Sequence, residues 1–357
     1  MRAVIRRAGK LICDEIVERD PGPGQVRVKT LACGICGSDL HALHYLDHMV
    51  DMARRAGGGE GLNPAADIVF GHEFCAEILE NGPGGGRFKE GTRVVSMPVN
   101  LGPEGFDAVG YSNKYAGGFA ERMILTDALL LEVPNGLPTD QAALTEPMAV
   151  GAHAVASAAL DKTSVALVIG CGPVGLAVIA ALKVKGHGPI IAADFSPRRR
   201  AAAEAMGADV VVDPATTGPH SKWSEYGVPS TLAGMQTALF SGQTYGRPVV
   251  FECVGAPGVL QSVIEGCPPK AQIIVAGVCM QSDSIEPSLA INKQLDLRFV
   301  LGYQPDEFAQ SLFDIAEGRI DVTPLITGTV GLDGVAAAFE TLGDPETSVK
   351  ILVAPNG

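Results

Sequence analysis

The sequence predicts an α/β protein with two domains, a mainly β domain and a domain built on a doubly wound parallel sheet. The chain of 357 residues is longer than a single hydrophobic core usually supports. Over roughly the first 130 residues, short alternations of apolar and polar residues are broken by glycine and proline, which is typical of β-strands. Between about residues 148 and 300, apolar strand segments alternate with helical segments, which is the pattern of a parallel sheet covered by helices.

Composition narrows the classes of partner. Apolar residues make up 46% and charged residues 19% of the chain, which is enough for large buried cores. The formal net charge of −13 argues against nucleic acid and against an anionic membrane surface. Eight cysteines and no signal peptide at residues 1–6 predict a cytoplasmic protein with free or metal-bound thiols. The uncharged run 165–182 is long enough for a membrane span, but its internal glycines and proline predict a strand, a turn and a helix instead.

The first chemically distinctive segment is Cys33-Gly34-Ile35-Cys36-Gly37-Ser38-Asp39-Leu40-His41, which follows a period-2 strand at 25–30. It carries two thiols, a hydroxyl, a carboxylate and an imidazole, and thiolate and imidazole are ligands that Zn²⁺ prefers. A Cys-x-x-Cys spacing is also typical of a redox pair or of two small buried side chains. The residues alone therefore leave metal chemistry and both alternatives open.

The interval 42–70 predicts a helix followed by a glycine-rich loop at 57–61. His44 and His48 on this helix are candidates for additional ligands, although solvated or packed histidines are the commoner case. The Gly-, Pro- and Asn-rich stretch 97–116 predicts a long loop. Further strands are predicted at 75–79, 91–95, 165–169, 189–193, 210–212, 249–251, 273–275 and 349–353, and helices at 174–183, 197–206, 305–318 and 332–342.

The segment Gly170-Cys171-Gly172-Pro173-Val174-Gly175 matches G-x-G-x-x-G between a predicted strand and a predicted helix. The first glycine permits a tight turn, the second lets the backbone approach a pyrophosphate, and the third allows close helix packing. Asp194, at the end of the next predicted strand, can bind ribose hydroxyls and repel a 2′-phosphate, which favours NAD over NADP. The basic run 198–200 could instead neutralise such a phosphate or lie on an exposed helix face.

These segments resemble, nearly from end to end, the zinc-dependent alcohol dehydrogenases of the medium-chain dehydrogenase/reductase superfamily. The resemblance is carried by residues 34–41, Gly71-His72-Glu73, Gly117-Gly118-Phe119-Ala120-Glu121, Glu146-Pro147, the glycine-rich turn, and Phe251-Glu252-Cys253-Val254-Gly255. It implies a GroES-like, mainly β catalytic domain over 1–147 and 301–357. It also implies a Rossmann NAD-binding domain over 148–300, and a homodimer or homotetramer.

For the metal, the resemblance implies Cys36 and His72 as ligands of one catalytic Zn²⁺, with Glu146 where other members have cysteine. Glu73 is implied as a neighbouring or exchanging carboxylate, whereas Cys33 matches a position that is not a ligand. Three protein ligands leave a fourth position for water or a substrate oxygen. Many relatives bind a structural zinc with four cysteines, but residues 76–170 contain none, which predicts one zinc per chain.

For catalysis, the resemblance implies an alcohol that is polarised at zinc and gives its hydride to NAD. Ser38 would accept the alcohol proton, which then passes through the nicotinamide ribose to His41, and Asp39 would orient a metal ligand. The implied cofactor contacts are Arg199 at the adenosine ribose, Val254 and Val278 in the cofactor cleft, and Lys350 at the pyrophosphate.

The predicted function is therefore the interconversion of a small alcohol and its carbonyl compound. The Glu146-Pro147 pair resembles the polyol, butanediol and threonine dehydrogenases, which favours a secondary alcohol or a polyol. Two alternatives remain open, namely a carbonyl reductase that works mainly in the reducing direction and a non-enzymatic NAD-binding or sensing protein on the same fold. The Ser38 and His41 pair counts against a sensor, which has no need of a proton relay.

Overall fold

The computed structural model describes residues 1–58, 62–102 and 105–357, and their contacts divide the chain into two compact units. The first unit comprises Met1–Glu146 and Phe308–Gly357, and the second comprises Pro147–Glu307. Residues 59–61 of the predicted glycine-rich loop lie outside the described residues.

The strands are β1 (Arg2–Arg7), β2 (Lys10–Glu15), β3 (Gln25–Gly34), β4 (Ile68–Val69), β5 (Glu73–Asn81), β6 (Arg93–Ser96), β7 (Val99–Gly102), β8 (Gly105–Ala108), β9 (Arg122–Thr126), β10 (Leu130–Glu132), β11 (Ser164–Ile169), β12 (Ile190–Ala193), β13 (Val210–Val212), β14 (Arg247–Glu252), β15 (Gln272–Val275), β16 (Asp296–Phe299), β17 (Ile326–Val330) and β18 (Lys350–Val353). The α-helices are α1 (Gly37–Arg55), α2 (Thr139–Ala142), α3 (Thr145–Ala156), α4 (Pro173–Val184), α5 (Pro197–Ala205), α6 (Leu232–Phe240), α7 (Val259–Gly266), α8 (Pro287–Lys293), α9 (Pro305–Ala316) and α10 (Val335–Leu342).

The first unit is organised around β3. Val26, Val28, Thr30 and Ala32 are buried and alternate with half-buried residues, which is the period expected of a strand in a sheet. The main sheet has the order β10-β6-β5-β3-β18-β17, and β9 also pairs with β3. The last strand of the chain, β18, therefore lies antiparallel beside β3, with Leu352 opposite Gly34.

One predicted loop contains regular structure. Within 97–116, strands β7 and β8 form an antiparallel hairpin. Buried Asn100 donates from Nδ2 to the carbonyl of Ile124 at 2.7 Å, so β7 is attached to the segment that contains β9. The prediction of a long loop was wrong because glycine and proline mark turns locally, whereas this hairpin depends on a contact with a distant strand.

The second unit is a parallel sheet of order β13-β12-β11-β14-β15-β16, which confirms the predicted doubly wound fold class. The uncharged run 165–182 is divided between β11 and α4, as predicted, and residues 175–182 of α4 are buried. In the part of the chain that the structure describes, no helix is long and apolar enough to cross a membrane.

Candidate active site

Asp39 organises the start of α1. Its carboxylate is fully buried, and Oδ2 accepts a hydrogen bond from the backbone N–H of Cys36 at 3.0 Å. An acidic side chain that reaches back to the N-cap N–H satisfies a donor that the helix leaves free. The other oxygen, Oδ1, lies 3.4 Å from Nδ1 of His72. Asp39 thus contacts both the backbone of Cys36 and the ring of His72.

Cys36, His72 and Glu73 form a cluster whose ligand atoms all lie within 4.8 Å of one another. His72 directly precedes β5 and Glu73 begins it, opposite Gly34 of β3. A Cβ atom on Gly34 would stand 2.0 Å from Oε2 of Glu73, so the carboxylate can lie over the end of β3 only because residue 34 is glycine.

The cluster is deficient in positive charge. Its only described basic side chain in contact is Lys350, whose Nζ lies 2.7 Å from both carboxylate oxygens of Glu73 and 3.0 Å from the carbonyl of Ile35. Burial disfavours the charged imidazole of His72, but the Asp39 carboxylate and Cys36 outweigh it, so the pKa of His72 is raised well above its usual value.

The donor set suits zinc. A thiol sulfur, an imidazole nitrogen and a carboxylate oxygen are the ligand types of catalytic Zn²⁺ sites. Nδ1 of His72 is buried without a hydrogen bond of good geometry among the described residues, and Nε2 is 3.4 Å from Oγ of Ser38. A metal ion at Nε2 would hold the ring against Asp39, the arrangement that usually accompanies a histidine ligand.

Other residues considered as ligands are not among these three. Glu146 lies in the first turn of α3, 9% exposed, and is not one of the three clustered residues, although it is near enough to Lys350 to affect the pKa of that lysine. Cys33 is fully buried, and its Sγ fills the space where Gly71 and Gly118 would carry a Cβ. His44 and His48 are exposed on α1 and do not belong to the cluster.

Lys350 requires a correction. The resemblance implied a contact with the cofactor pyrophosphate, but the side chain has no exposed surface and its ammonium group is bound by Glu73 and Ile35. A phosphate cannot reach a buried ammonium group that is already paired. In this structure Lys350 supports Glu73 beneath the candidate metal site instead.

Tyr111 is a site residue that the sequence did not reveal. Its hydroxyl donates to Oγ of Ser38 at 3.0 Å or to Oδ1 of Asp39 at 3.2 Å. The ring lies 5.4 Å from that of His72 and 5.8 Å from that of Phe70. Burial raises the pKa of this hydroxyl well above its usual value, and Asp39 and Cys36 raise it further. No spacing signal connects residue 111 with residue 38, and only the hairpin β7–β8 brings the chain back to the site.

The glycine-rich turn fits a dinucleotide. Gly170 has φ +88°, and a Cβ there would stand 2.6 Å from Cγ2 of Val254, while a Cβ on Gly175 would stand 1.9 Å from the carbonyl oxygen of Gly170. These two glycines are required by the protein itself. Gly172 is different, because a Cβ there meets only the Arg199 guanidinium, at 3.9 Å. Gly172 caps α4 without a side-chain hydrogen bond, which leaves an open space at a helix N-terminus that attracts phosphate.

Asp194 ties this turn to the end of β12. Its Oδ2 accepts from the N–H of Cys171 at 2.8 Å and its Oδ1 from the N–H of Ser196 at 2.8 Å, and each oxygen keeps a lone pair for a ribose hydroxyl. Arg199 lies 4.0 Å from Oδ2, and its Nε is buried without a hydrogen-bond partner among the described residues. Arg200 is occupied by the carbonyls of Asp194 and Phe195.

The loops after β14 and β15 meet at the same carboxyl edge of the sheet. Oε1 of Glu252 accepts hydrogen bonds from the N–H groups of Val254 at 2.7 Å and Gly255 at 2.9 Å. A Cβ on Gly255 would stand 2.6 Å from the backbone nitrogen of Val278. Val254 and Val278 are 46% and 52% exposed at this edge, where ligands bind in doubly wound sheets.

A mainly β unit with a candidate metal cluster and a doubly wound unit with a dinucleotide turn are the two parts that a metal-dependent dehydrogenase requires. Comparison with known proteins supports this class. The family model described as "Zinc-binding dehydrogenase" matches residues 173–318, and the model described as "Alcohol dehydrogenase GroES-like domain" matches residues 22–135.

Individual relatives cover almost the whole chain. The (R,R)-butanediol dehydrogenase of Bacillus subtilis (strain 168) is 33% identical over 362 residues, which cover 96% of each protein. The sorbitol dehydrogenase of the same organism is 27% identical and covers 99% of this chain and 97% of its own. The crystal structure of 2R,3R-butanediol dehydrogenase from Bacillus subtilis superimposes with a TM-score of 0.78 at 31% identity, and 99% of both chains is covered. The chain therefore belongs to the zinc-dependent alcohol dehydrogenases of the medium-chain superfamily and is an oxidoreductase, which confirms the family and the enzyme class expected from the sequence.

Proposed function

We propose that this enzyme is an NAD-dependent dehydrogenase with a single zinc ion, and that it oxidises secondary alcohols, with small vicinal diols as the preferred class. The observation that carries the proposal is the cluster of half-buried Cys36 with buried His72 and Glu73 beside Ser38. The substrate class rests on the relatives named as butanediol dehydrogenases, which are 33% and 31% identical.

The first unit supplies the metal ligands and the groups that handle the alcohol proton. Cys36, His72 and Glu73 would hold the zinc, and Glu146 stays a predicted ligand that could exchange with Glu73. When bound, zinc supplies a Lewis acid for the alcohol and NAD accepts the hydride. Ser38 Oγ, 3.4 Å from Nε2 of His72, accepts the alcohol proton and passes a proton on towards His41, which lies half-buried three residues further along α1.

The second unit supplies the cofactor site. The open space at Gly172 would take the pyrophosphate, and Arg199, Val254 and Val278 would contact the remaining parts of the cofactor; the open space and the exposure of the two valines support this assignment. NAD rather than NADP is proposed because the Asp194 carboxylate stands at the end of β12, where a 2′-phosphate would meet its negative charge. The catalytic domain is expected over 1–147 and 301–357 and the cofactor domain over 148–300, and the division of the chain into two compact units supports this expectation.

The proposal extends to composition and assembly. One zinc per chain is expected because residues 76–170 have no cysteine for a second, four-thiolate site. A homo-oligomer is expected because β16 is an edge strand with exposed Phe299. A cytoplasmic location stays a prediction, based on eight cysteines that are all free in the structure.

The decisive experiment combines substrate screening with loss of one ligand. Diols, polyols, simple secondary alcohols and amino alcohols are compared with NAD and with NADP, and zinc is measured per chain. Cys36→Ser should abolish zinc binding and turnover but keep NAD binding, because the glycine-rich turn lies in the other unit. Alcohol oxidation at the wild-type rate in Cys36→Ser would refute the site assignment, and two tightly bound zinc ions per chain would refute the single-zinc proposal.

A further inference from the structure

Tyr111 is placed rigidly against the proposed proton acceptor. The residue follows the hairpin β7–β8, where the N–H of Val109 donates to the carbonyl of Pro98 at 2.8 Å and the N–H of Tyr111 donates to the carbonyl of Ala108 at 3.1 Å. Its ring packs on the rings of Phe70 and His72. The position of its hydroxyl is therefore determined by backbone and ring contacts and not by a flexible side chain.

The Tyr111 hydroxyl has one proton and two acceptors within reach. Oγ of Ser38 lies 3.0 Å away and Oδ1 of Asp39 lies 3.2 Å away. If the proton points to Ser38, the serine hydroxyl is turned so that its own proton faces the metal cluster. If the proton points to the Asp39 carboxylate, the Ser38 proton is free to turn to the tyrosine oxygen, and a serine lone pair then faces the cluster.

We propose that Tyr111 is a positioning residue that sets the direction of the Ser38 hydroxyl. During alcohol oxidation Oγ of Ser38 accepts the alcohol proton while the proton it already carries passes on towards the cofactor ribose and His41, and during carbonyl reduction both transfers run in reverse. The Tyr111 proton has two possible directions because Asp39 offers a second acceptor besides Ser38. The Asp39 carboxylate can compete for this proton, since a hydrogen bond to a carboxylate is stronger than one between neutral groups. The inference rests on the proposed function, in which Ser38 handles the substrate proton.

Tyr111→Phe tests the proposal because it removes only the hydroxyl and keeps the ring on Phe70 and His72. We expect kcat for alcohol oxidation to fall roughly ten- to a hundredfold, the usual cost of losing a group that orients an active-site residue. The KM for the alcohol should change by less than about threefold, because the loss is felt in the transition state. Zinc affinity, measured by competition with a chelator, should be unchanged, because the cluster of Cys36, His72 and Glu73 keeps its ligands.

Tyr115→Phe is the matched control. It removes a phenol hydroxyl four positions along the same segment, one that accepts a hydrogen bond from Nε2 of Gln25 at 3.0 Å and lies outside the site. This variant should keep wild-type kcat. An equal loss of kcat in Tyr111→Phe and Tyr115→Phe would show that deletion of either hydroxyl disturbs the segment. This result would overturn the role proposed for Tyr111.

A double-variant cycle identifies the partner through which Tyr111 acts. In a Ser38→Ala background, Tyr111→Phe should change kcat by less than about threefold, whereas in a Ser38→Thr background, which keeps a hydroxyl, the full loss should return. An undiminished loss in the Ser38→Ala background would overturn the inference. If Ser38→Ala lowers kcat but Tyr111→Phe does not, only the inference fails. Wild-type activity in Ser38→Ala would instead remove the proton role of Ser38 from the proposed function, and the inference about Tyr111 would fall with that role.

Discussion

The buried pair of Lys350 and Glu73 shows how one residue supports the site without contacting substrate. Both side chains are almost completely buried, and Nζ is 2.7 Å from each carboxylate oxygen. Burial lowers the pKa of Lys350, but Glu73 outweighs this effect, and the pKa is raised above its usual value. Because the raised pKa belongs to the folded state, the stabilisation by this pair is present at neutral pH and is lost only as the pH rises through that alkaline value.

Replacing Lys350 should therefore lower the stability of the folded enzyme. Lys350→Met leaves the buried carboxylate of Glu73 without its partner, and we expect the free energy of unfolding to fall by about 3–5 kcal/mol. Urea denaturation of the zinc-loaded enzyme measures the change. Lys89→Met, at an exposed lysine of the same unit, should stay within about 0.5 kcal/mol of wild type. A loss below about 1 kcal/mol in Lys350→Met would mean that the pair is not needed to support Glu73.

His41 should set the acid limit of activity. It lies half-buried on α1, and partial burial lowers its pKa below the usual 6.5. An imidazole accepts a proton only when neutral, so His41 stays available as a base at lower pH than an ordinary histidine. We expect kcat for alcohol oxidation to decline only below pH 6.5. His41→Gln should remove this decline from the pH profile of kcat. It should also lower kcat by about a hundredfold, the lower end of the range for groups that act as general acid or base.

His44→Gln provides the comparison for His41. His44 is exposed on the same helix and should leave the pH profile unchanged. An acid limb that persists in His41→Gln would exclude His41 as the group that titrates.

Among the elements, the turn between β11 and α4 separates glycines that the fold needs from a glycine that the ligand needs. Gly172 has φ −69°, which alanine adopts freely, and a Cβ there meets only the Arg199 guanidinium at 3.9 Å. Gly172→Ala should therefore keep its melting temperature but bind NAD at least about tenfold more weakly in calorimetry, because the methyl group occupies the pyrophosphate position.

Gly175→Ala should behave in the opposite way. Its Cβ would stand 1.9 Å from the carbonyl oxygen of Gly170, which forces the helix away from the strand. Such overpacking costs about 1–3 kcal/mol of stability. If the Gly175→Ala variant is as stable as the wild type, Gly175 does not have the structural role given to it here. If the Gly172→Ala variant binds NAD with wild-type affinity, Gly172 does not have the cofactor-binding role.

This turn also shows which elements can be predicted from sequence. The strand β11, its glycines and α4 are adjacent in the chain, and their apolar runs and turn residues are local signals that agree with one another. By contrast, β17 lies at the edge of the main sheet and none of its residues is fully buried. It has no apolar run, and it was not predicted. Sheet edges and the hairpin β7–β8 depend on partners that local periodicity does not reveal.

On the scale of the whole molecule, what could not be predicted is pairing across the chain. Glu73 and Lys350 are 277 positions apart, yet β3, β5 and β18 place them in contact, because β3 pairs with both other strands. The contact of Tyr111 with Ser38 spans 73 positions and depends on the same unit. The resemblance supplied the types of residue at the site, but only the assembled sheet shows that Lys350 and Tyr111 serve Glu73 and Ser38.

The parallel sheet has large exposed apolar side chains at its β16 edge. β16 ends the sheet, and Phe299 on it and Leu301 just beyond it are 70% and 87% exposed. An unpaired strand edge with large apolar side chains is a surface that proteins normally cover. A second copy of the same edge, related by a two-fold axis, would pair with it and bury these side chains, so sedimentation should give a multiple of the monomer mass.

Phe299→Lys should shift the enzyme towards the monomer, because pairing of the two edges would bury an unpaired lysine charge. Phe240→Lys, at a residue 92% exposed at the end of α6, should keep the wild-type mass. A monomeric wild type, or a Phe299→Lys variant that keeps the oligomeric mass, would show that this edge does not join the subunits.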